Sequence, residues 1–292
     1  MSCGCGPAAV TRDEIIGALR RVGLGPRDVL FVHNSIRAFG YVVGGPEAVV
    51  DALLFTVGPT GHVIVPTFTR CRSEGYGSGQ VFDPATTPSH LGIIGETLRR
   101  RPNAHRSLHP TKSLAAIGPR AAELVAGAEN GTDFDIDGPY GRMVAMGAWV
   151  VFLGTRTGSN TMVHLVEDWL DYPFMAQCEA LVKRGDTVVR VPERRAPVGH
   201  RAFYGGDGGP FNRRLLVQPF VRRTGLNRAR ILAMPAQAIV RFVLEMEKVK
   251  PAAVLCDDPA CDFCPAARAA TAAKRDYILD RVRMIESRGL AG

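Results

Sequence analysis

The stretch Trp149-Val150-Val151-Phe152-Leu153 decides how the rest of this chain is read. It is a short apolar run followed by a loop of Gly, Thr and Ser, and it reads as a strand buried on both faces, the pattern of the middle of a sheet covered by helices. Working outward, Asp28-Val29-Leu30-Phe31-Val32-His33 and His62-Val63-Ile64-Val65-Pro66 repeat the pattern, and Ser113-Leu114-Ala115-Ala116-Ile117 is a weaker copy. Helical periods lie between these runs. Thr11 with Glu14 three residues on predicts a capping box, opening a helix with Ile15, Ile16, Leu19 and Val22 at helical spacing and a stop at Gly23. Pro46 takes the first position of a second helix through Val49, Val50, Leu53, Leu54 and Val57. Further helices are expected over 91–101 and 119–128. Alternation of buried strands with amphipathic helices predicts an α/β fold, a layered sheet with flanking helices.

The loop over 69–89, rich in Gly, Ser, Thr and Pro, is too long for a plain connection and is expected to be an active-site flap. Beyond Glu179 the texture changes to polar strands at 181–184 and 187–191, a Gly-rich stretch at 205–209 and a helix over 236–249. Neither an internal repeat nor a linker interrupts the pattern, which predicts one domain over 1–292, with a core over 11–250 and a Cys-containing tail over 251–292.

At 292 residues with 46% hydrophobic content, the chain can bury a sizeable core. No apolar run approaches the roughly 20 residues needed to span a bilayer, and the first residues lack the pattern of a signal peptide, so no membrane partner and a cytoplasmic location are expected. Seven cysteines, with Cys71 and Cys178 isolated in mid-chain, argue against a disulfide framework. The formal charge of +8 is spread through pairs such as Arg194-Arg195, Arg213-Arg214 and Arg222-Arg223. Such pairs suit a solvated surface, or an anionic ligand such as the phosphates of coenzyme A. The absence of any helix-turn-helix, zinc-finger or aromatic RNA-binding signature argues against nucleic acid.

Three segments carry candidate chemistry. The strand ending at Leu153 leads into Thr161-Met162-Val163-His164-Leu165-Val166-Glu167-Asp168-Trp169-Leu170-Asp171; as a helix this puts His164, Glu167, Asp168 and Asp171 on one face. A neutral His held by a carboxylate can take a proton from an amine or hydroxyl near neutral pH. The same stripe also fits a solvated face, although the carboxyl end of a central strand is where α/β sheets place ligands. A metal reading of this stripe is weaker, because His-x-x-Glu lacks the second His of the zinc protease helix. The second segment, Arg106-Ser107-Leu108-His109-Pro110-Thr111-Lys112-Ser113, is a donor-rich loop or strand entry. The third, His33-Asn34-Ser35 with Gly40, Gly44 and Gly45, is a turn fit to hold a phosphate or a thioester carbonyl, without Walker or Rossmann glycine spacing.

Read together, these segments resemble the aminoglycoside 3-N-acetyltransferases, or antibiotic N-acetyltransferases, a family unrelated to the GNAT fold. The resemblance runs in order through Val32-His33-Asn34-Ser35, the stretch from Gly40 to Leu53, Val57-Gly58-Pro59-Thr60-Gly61, Val65-Pro66-Thr67-Phe68-Thr69, Arg106-Ser107-Leu108-His109-Pro110, Gly138-Pro139-Tyr140-Gly141, Leu153-Gly154 and the stretch from Thr161 to Glu167. It covers about 12–170 well and the remainder loosely. It implies acetyl transfer from acetyl-CoA to an amine, with His164 as general base and Glu167 as its orienting partner or an amine-binding carboxylate. It puts His33, Asn34, Ser35, Arg106, Ser107 and His109 on the coenzyme A side. For a polycationic acceptor, Asp137, Asp168 and Asp171, with Asp133 and Asp135, are the expected acidic groups, although the charge of +8 runs against such a ligand. Another acyl donor or a non-aminoglycoside acceptor is the alternative, and a homodimer is a further expectation.

Cys256-x4-Cys261-x2-Cys264 stands outside the family pattern. Three thiols in nine residues approach a metal-ligand set, zinc or an iron-sulfur cluster, with a fourth ligand from Cys3 or Cys5; the bland alternative is a tail of reduced thiols.

Overall fold

The computed structural model describes residues 9–71, 80–132, 134–195, 207 and 209–292. Nine strands are present among them: β1 (Val29–Asn34), β2 (His62–Pro66), β3 (His105–Arg106), β4 (Leu114–Ile117), β5 (Trp149–Leu153), β6 (Ala176–Arg184), β7 (Thr187–Arg195), β8 (Arg222–Leu226) and β9 (Ala229–Pro235). Seven form one sheet in the order β3-β4-β2-β1-β5-β9-β8. β1 lies at its centre, parallel to β2 and to β5, with Leu30 opposite Trp149. The flanks are antiparallel, β4 on β2 and β9 on β5.

The helices are α1 (Arg12–Arg21), α2 (Gly45–Val57), α3 (Ile93–Arg99), α4 (Ala121–Val125), α5 (Pro139–Ala145), α6 (Thr161–Trp169), α7 (Pro210–Leu216), α8 (Ala236–Val249), α9 (Cys264–Ala273) and α10 (Arg275–Ser287). Both bonds of the expected capping box open α1: Thr11 and Glu14 satisfy each other's backbone amides. Alternate strand residues face opposite layers. Phe31, Ile64, Val150, Phe152 and Met234 pack against α4, α5, α6 and α8, whereas Leu30, Val32, Val63, Val151 and Ile231 pack against α1, α2 and α3. Burial on both faces is why these strands are continuous apolar runs, and it gives the three-layer α/β architecture.

The C-terminal extension joins the first of these layers. Ile278, Val282 and Ile285 of α10 and Cys264 of α9 are fully or almost fully buried in the same cluster as Phe152. β6 and β7 form a separate ribbon, longer than the expected polar strands and turned at Gly185, which has φ +59°. Its Ala180, Val182 and Val191 pack against Cys71 and Phe82. The expected flap is therefore packed down over its described part, with Phe82 bridging to Val182; its residues 72–79 lie outside the described ones. So do most of 205–209, Asp133, Cys3 and Cys5.

Candidate active site

The carboxyl ends of the parallel strands β1 and β5 meet in one place. Gly154 follows β5 with φ +74°, and a Cβ there would lie 2.8 Å from both Ala38 Cβ and Ser35 O, so only glycine lets the two loops touch. The Ser35 amide donates to Leu153 O at 2.9 Å, closing the contact. Beyond a short 3-10 turn at Thr157–Ser159, Asn160 caps α6, its Oδ1 accepting from the Met162 amide at 3.2 Å. Asp207 ties this turn down, accepting from the Thr157 amide at 2.9 Å and its hydroxyl at 2.6 Å. Burial pushes the Asp207 carboxyl up, but the Thr157 bonds and Arg230 outweigh it and hold the group below its ordinary value.

One turn into α6, His164 Nδ1 lies 2.7 Å from Glu167 Oε2. The Glu167 side chain has no exposure and His164 retains 27%. A buried carboxylate accepting from Nδ1–H fixes the imidazole tautomer and leaves Nε2 with its lone pair, the arrangement a proton acceptor requires. The other two carboxylates of the stripe turn to one cation. Arg194 of β7 lies 3.3 Å from Asp168 and also pairs with Asp171. Asp168 further accepts from the Thr132 hydroxyl at 2.9 Å, and Asp171, left-handed at φ +52° just past the helix, accepts from the Tyr277 hydroxyl at 2.6 Å. Burial raises the Asp171 carboxyl, yet Tyr277 and Arg194 hold it below its usual range. Arg281 of α10 also donates to Trp169 O at 2.8 Å, so the C-terminal extension buttresses the helix that carries His164.

Residues 31–247 match the aminoglycoside 3-N-acetyltransferase family. The chain belongs to this family. Aminoglycoside N(3)-acetyltransferase III of Salmonella sp is 36% identical over 177 residues, which is 56% of this chain and 62% of the relative. The chain thus spans less than two thirds of the length of such curated relatives. Among solved members, the AAC(3)-IVa apoenzyme is 25% identical with a TM-score of 0.75, covering 91% of this chain and 99% of its own. AAC-VIa bound to sisomicin is 27% identical with a TM-score of 0.73, covering 83% and 98%.

Against this family frame, the residues expected on the coenzyme A side separate into two groups. Asn34 and Ser35 are half-buried in the loop beside Gly154. The other four are occupied inside the protein. His33 is 5% exposed, stacked on Phe152 at 5.3 Å and edge-on to Phe31, and burial drives its pKa down to about 3; a neutral interior ring cannot neutralise a phosphate. Arg106 donates to Thr87 O at 2.6 Å, Thr67 O at 2.8 Å and Pro84 O at 3.2 Å and lies over the Phe82 ring, a brace for the loop. Its burial lowers it to about 10. Ser107 Oγ accepts from the Leu114 amide at 2.9 Å, and buried His109 contacts Pro192 O at 3.0 Å through Nε2. Asp137, expected beside the acceptor, is a surface residue 2.7 Å from Arg288. Sequence reasoning did not single out Thr132, Asn160, Asp207 or Tyr277, or Arg194 as more than one of a basic pair; each is an ordinary polar residue whose position only the fold reveals.

In the C-terminal extension, the Sγ atoms of Cys256, Cys261 and Cys264 all lie within 4.8 Å of one another. The amides of Cys264 and Phe263 lower the Cys261 thiol, whereas burial pushes Cys264 up to about 12.

Proposed function

We propose that this chain transfers the acetyl group of acetyl-CoA to an amine, the 3-amino group of an aminoglycoside, with His164 as general base. The observation that carries the reading is the 2.7 Å contact between His164 Nδ1 and the fully buried Glu167, on the helix that follows β5, next to the central strand. An ammonium cannot attack a thioester until it loses a proton. The ammonium first gives that proton to solvent; as the neutral amine nitrogen then bonds to the thioester carbon, His164 Nε2 takes the second nitrogen proton, and Glu167 stabilises the resulting imidazolium. The tetrahedral oxyanion then collapses, the carbon–sulfur bond breaks, and the imidazolium returns the proton to the leaving thiolate. Ser35, whose side chain makes no capping bond to its own turn, is the proposed donor-side hydroxyl, with Asn34 beside it. No cysteine nucleophile is needed, and the thiol trio takes no part in this chemistry.

Family membership supports the aminoglycoside as acceptor. A second reading, a less cationic amine, is favoured by one observation: the carboxylates of Asp168 and Asp171 both meet Arg194, which lowers the negative charge available to a polycation. Acetyl-CoA consumption across a panel of aminoglycosides, simple amines and arylamines tests both. Turnover with aminoglycosides supports the first reading and turnover confined to other amines the second. Turnover with none of them sinks the transferase reading.

A further inference from the structure

We infer that Cys256, Cys261 and Cys264 form a thiolate site for one zinc ion, independent of the transfer chemistry. Four features carry the inference. The three sulfurs converge within 4.8 Å; ligands on one tetrahedral zinc with Zn–S near 2.3 Å stand about 3.8 Å apart, so side-chain adjustment alone closes the set. An iron-sulfur cluster carries its cysteines on separate irons and spreads them wider, so the convergence favours a single ion.

The second feature is the turn itself. Cys261 and Cys264 are two residues apart, and the Cys264 amide donates to Cys261 Sγ at 3.5 Å, so the loop already directs an N–H toward the sulfur that would carry negative charge. The Cys261 amide in turn donates to Asp258 O at 3.2 Å and the Ala260 amide to Asp258 Oδ1 at 2.9 Å, fixing the approach to this turn.

Third, the loop presenting Cys256 is braced by the helix presenting Cys264. Arg268, one turn further along α9, donates to Pro251 O at 2.7 Å, Ala252 O at 3.0 Å, Leu255 O at 3.2 Å and Cys256 O at 3.0 Å, and contacts Asp257 at 3.0 Å. One guanidinium thus sets the spacing between the two segments that supply the ligands.

Fourth, the sulfurs are partly screened and partly reachable. Cys264 is fully buried and Cys256 is 7% exposed, yet Cys256 also lines an open cavity of about 550 Å³ with Pro259, Pro265 and Arg268, a path by which an ion and a fourth donor reach the trio. Soft thiolates select zinc over magnesium or calcium.

Metal analysis of the full chain purified without chelator tests the site. The expected content is about one zinc per chain, falling at least fivefold in Cys256→Ser, Cys261→Ser and Cys264→Ser and unchanged in Cys71→Ala and Cys178→Ala. Because a variant can fail to fold, the wild-type protein is also stripped and loaded with cobalt(II). Thiolate-to-cobalt charge-transfer bands with the visible bands of tetrahedral cobalt are expected, lost again on adding excess zinc. A folded wild-type protein with neither zinc nor a cobalt-thiolate spectrum overturns the inference. Stoichiometric iron with visible absorbance overturns the choice of zinc, and zinc retained in all three variants overturns the choice of ligands.

Discussion

Replacing Glu167 by Gln is the sharpest test of the proposed site, because it keeps the shape of the side chain and removes only its charge. The contact at stake is 2.7 Å long and its carboxylate has no exposure to water. A hydrogen bond to an ionised group contributes about 1.5–3 kcal/mol against about 1 kcal/mol for a neutral one. The loss of imidazolium stabilisation is therefore about 1–2 kcal/mol. The Gln amide can also donate to Nδ1, holding a tautomer whose Nε2 already carries a proton and cannot accept another. Together these lower kcat by about 30- to 100-fold, less than the hundredfold or greater loss expected for His164→Ala, the size of a lost general base. The two residues act as a unit, so the double variant should resemble His164→Ala alone. Rates are best followed by loss of thioester absorbance, since thiol-capture reagents also react with accessible protein cysteines, of which the chain has seven in all. Thermal melting guards against unfolding, so that the fall in kcat is read on folded protein. A folded Glu167→Gln variant with kcat within threefold of wild type refutes the role.

Arg106→Ala should destabilise the fold by about 2–4 kcal/mol, because buried Thr67 and half-buried Thr87 lose the donor to their carbonyls, while the acetyl-CoA KM of the folded fraction stays insensitive to salt; a salt-dependent rise in that KM would restore Arg106 to the phosphates. His33→Phe should flatten the acid side of the stability curve. With the folded pKa near 3 and the ordinary value 6.5, the unfolded state takes up the proton first as pH falls, so wild type loses stability below about 6.5, by up to about 5 kcal/mol near pH 3; parallel urea-midpoint curves for both proteins between pH 6 and 4 rule this out. Gly154→Ala should lose about 1–3 kcal/mol, because a left-handed backbone and two 2.8 Å contacts oppose the methyl group, and unchanged urea midpoints count against the close approach of the loops.

Sequence reads best where burial is symmetric. Strands β1, β2 and β5 are apolar on both faces and α1 carries its own start signal, so their positions follow from local chemistry. The segment Ala229–Pro235, also a sheet strand, was harder to see: Arg230 interrupts its apolar run, and its partners β5 and β8 flank it only in space. The helix expected over 119–128 is shorter, Ala121–Val125, because Ala126 turns to an extended backbone and Gly127 to a left-handed one at φ +69°. At the site, a three-residue helical spacing made the pairing of His164 and Glu167 legible. The contacts that Arg106 and His109 make within the protein were not legible, because the donors that bind an anion at a surface are the same donors that brace carbonyls in an interior. The meeting of Asp171 with Tyr277 spans 106 positions, which no local pattern encodes.

Arg194 also bears on how fast the proposed cationic acceptor can arrive. It offsets part of the charge of Asp168 and Asp171, and the formal charge of +8 on the chain as a whole opposes the approach of a polycation. Capture should then be slow in dilute buffer and quicken as salt screens the repulsion, over the range where the Debye length shrinks from about 30 Å to about 8 Å. Attractive steering gives the opposite slope, so the ionic-strength dependence of kcat/KM at low acceptor concentration reads the sign of the field at the mouth of the site.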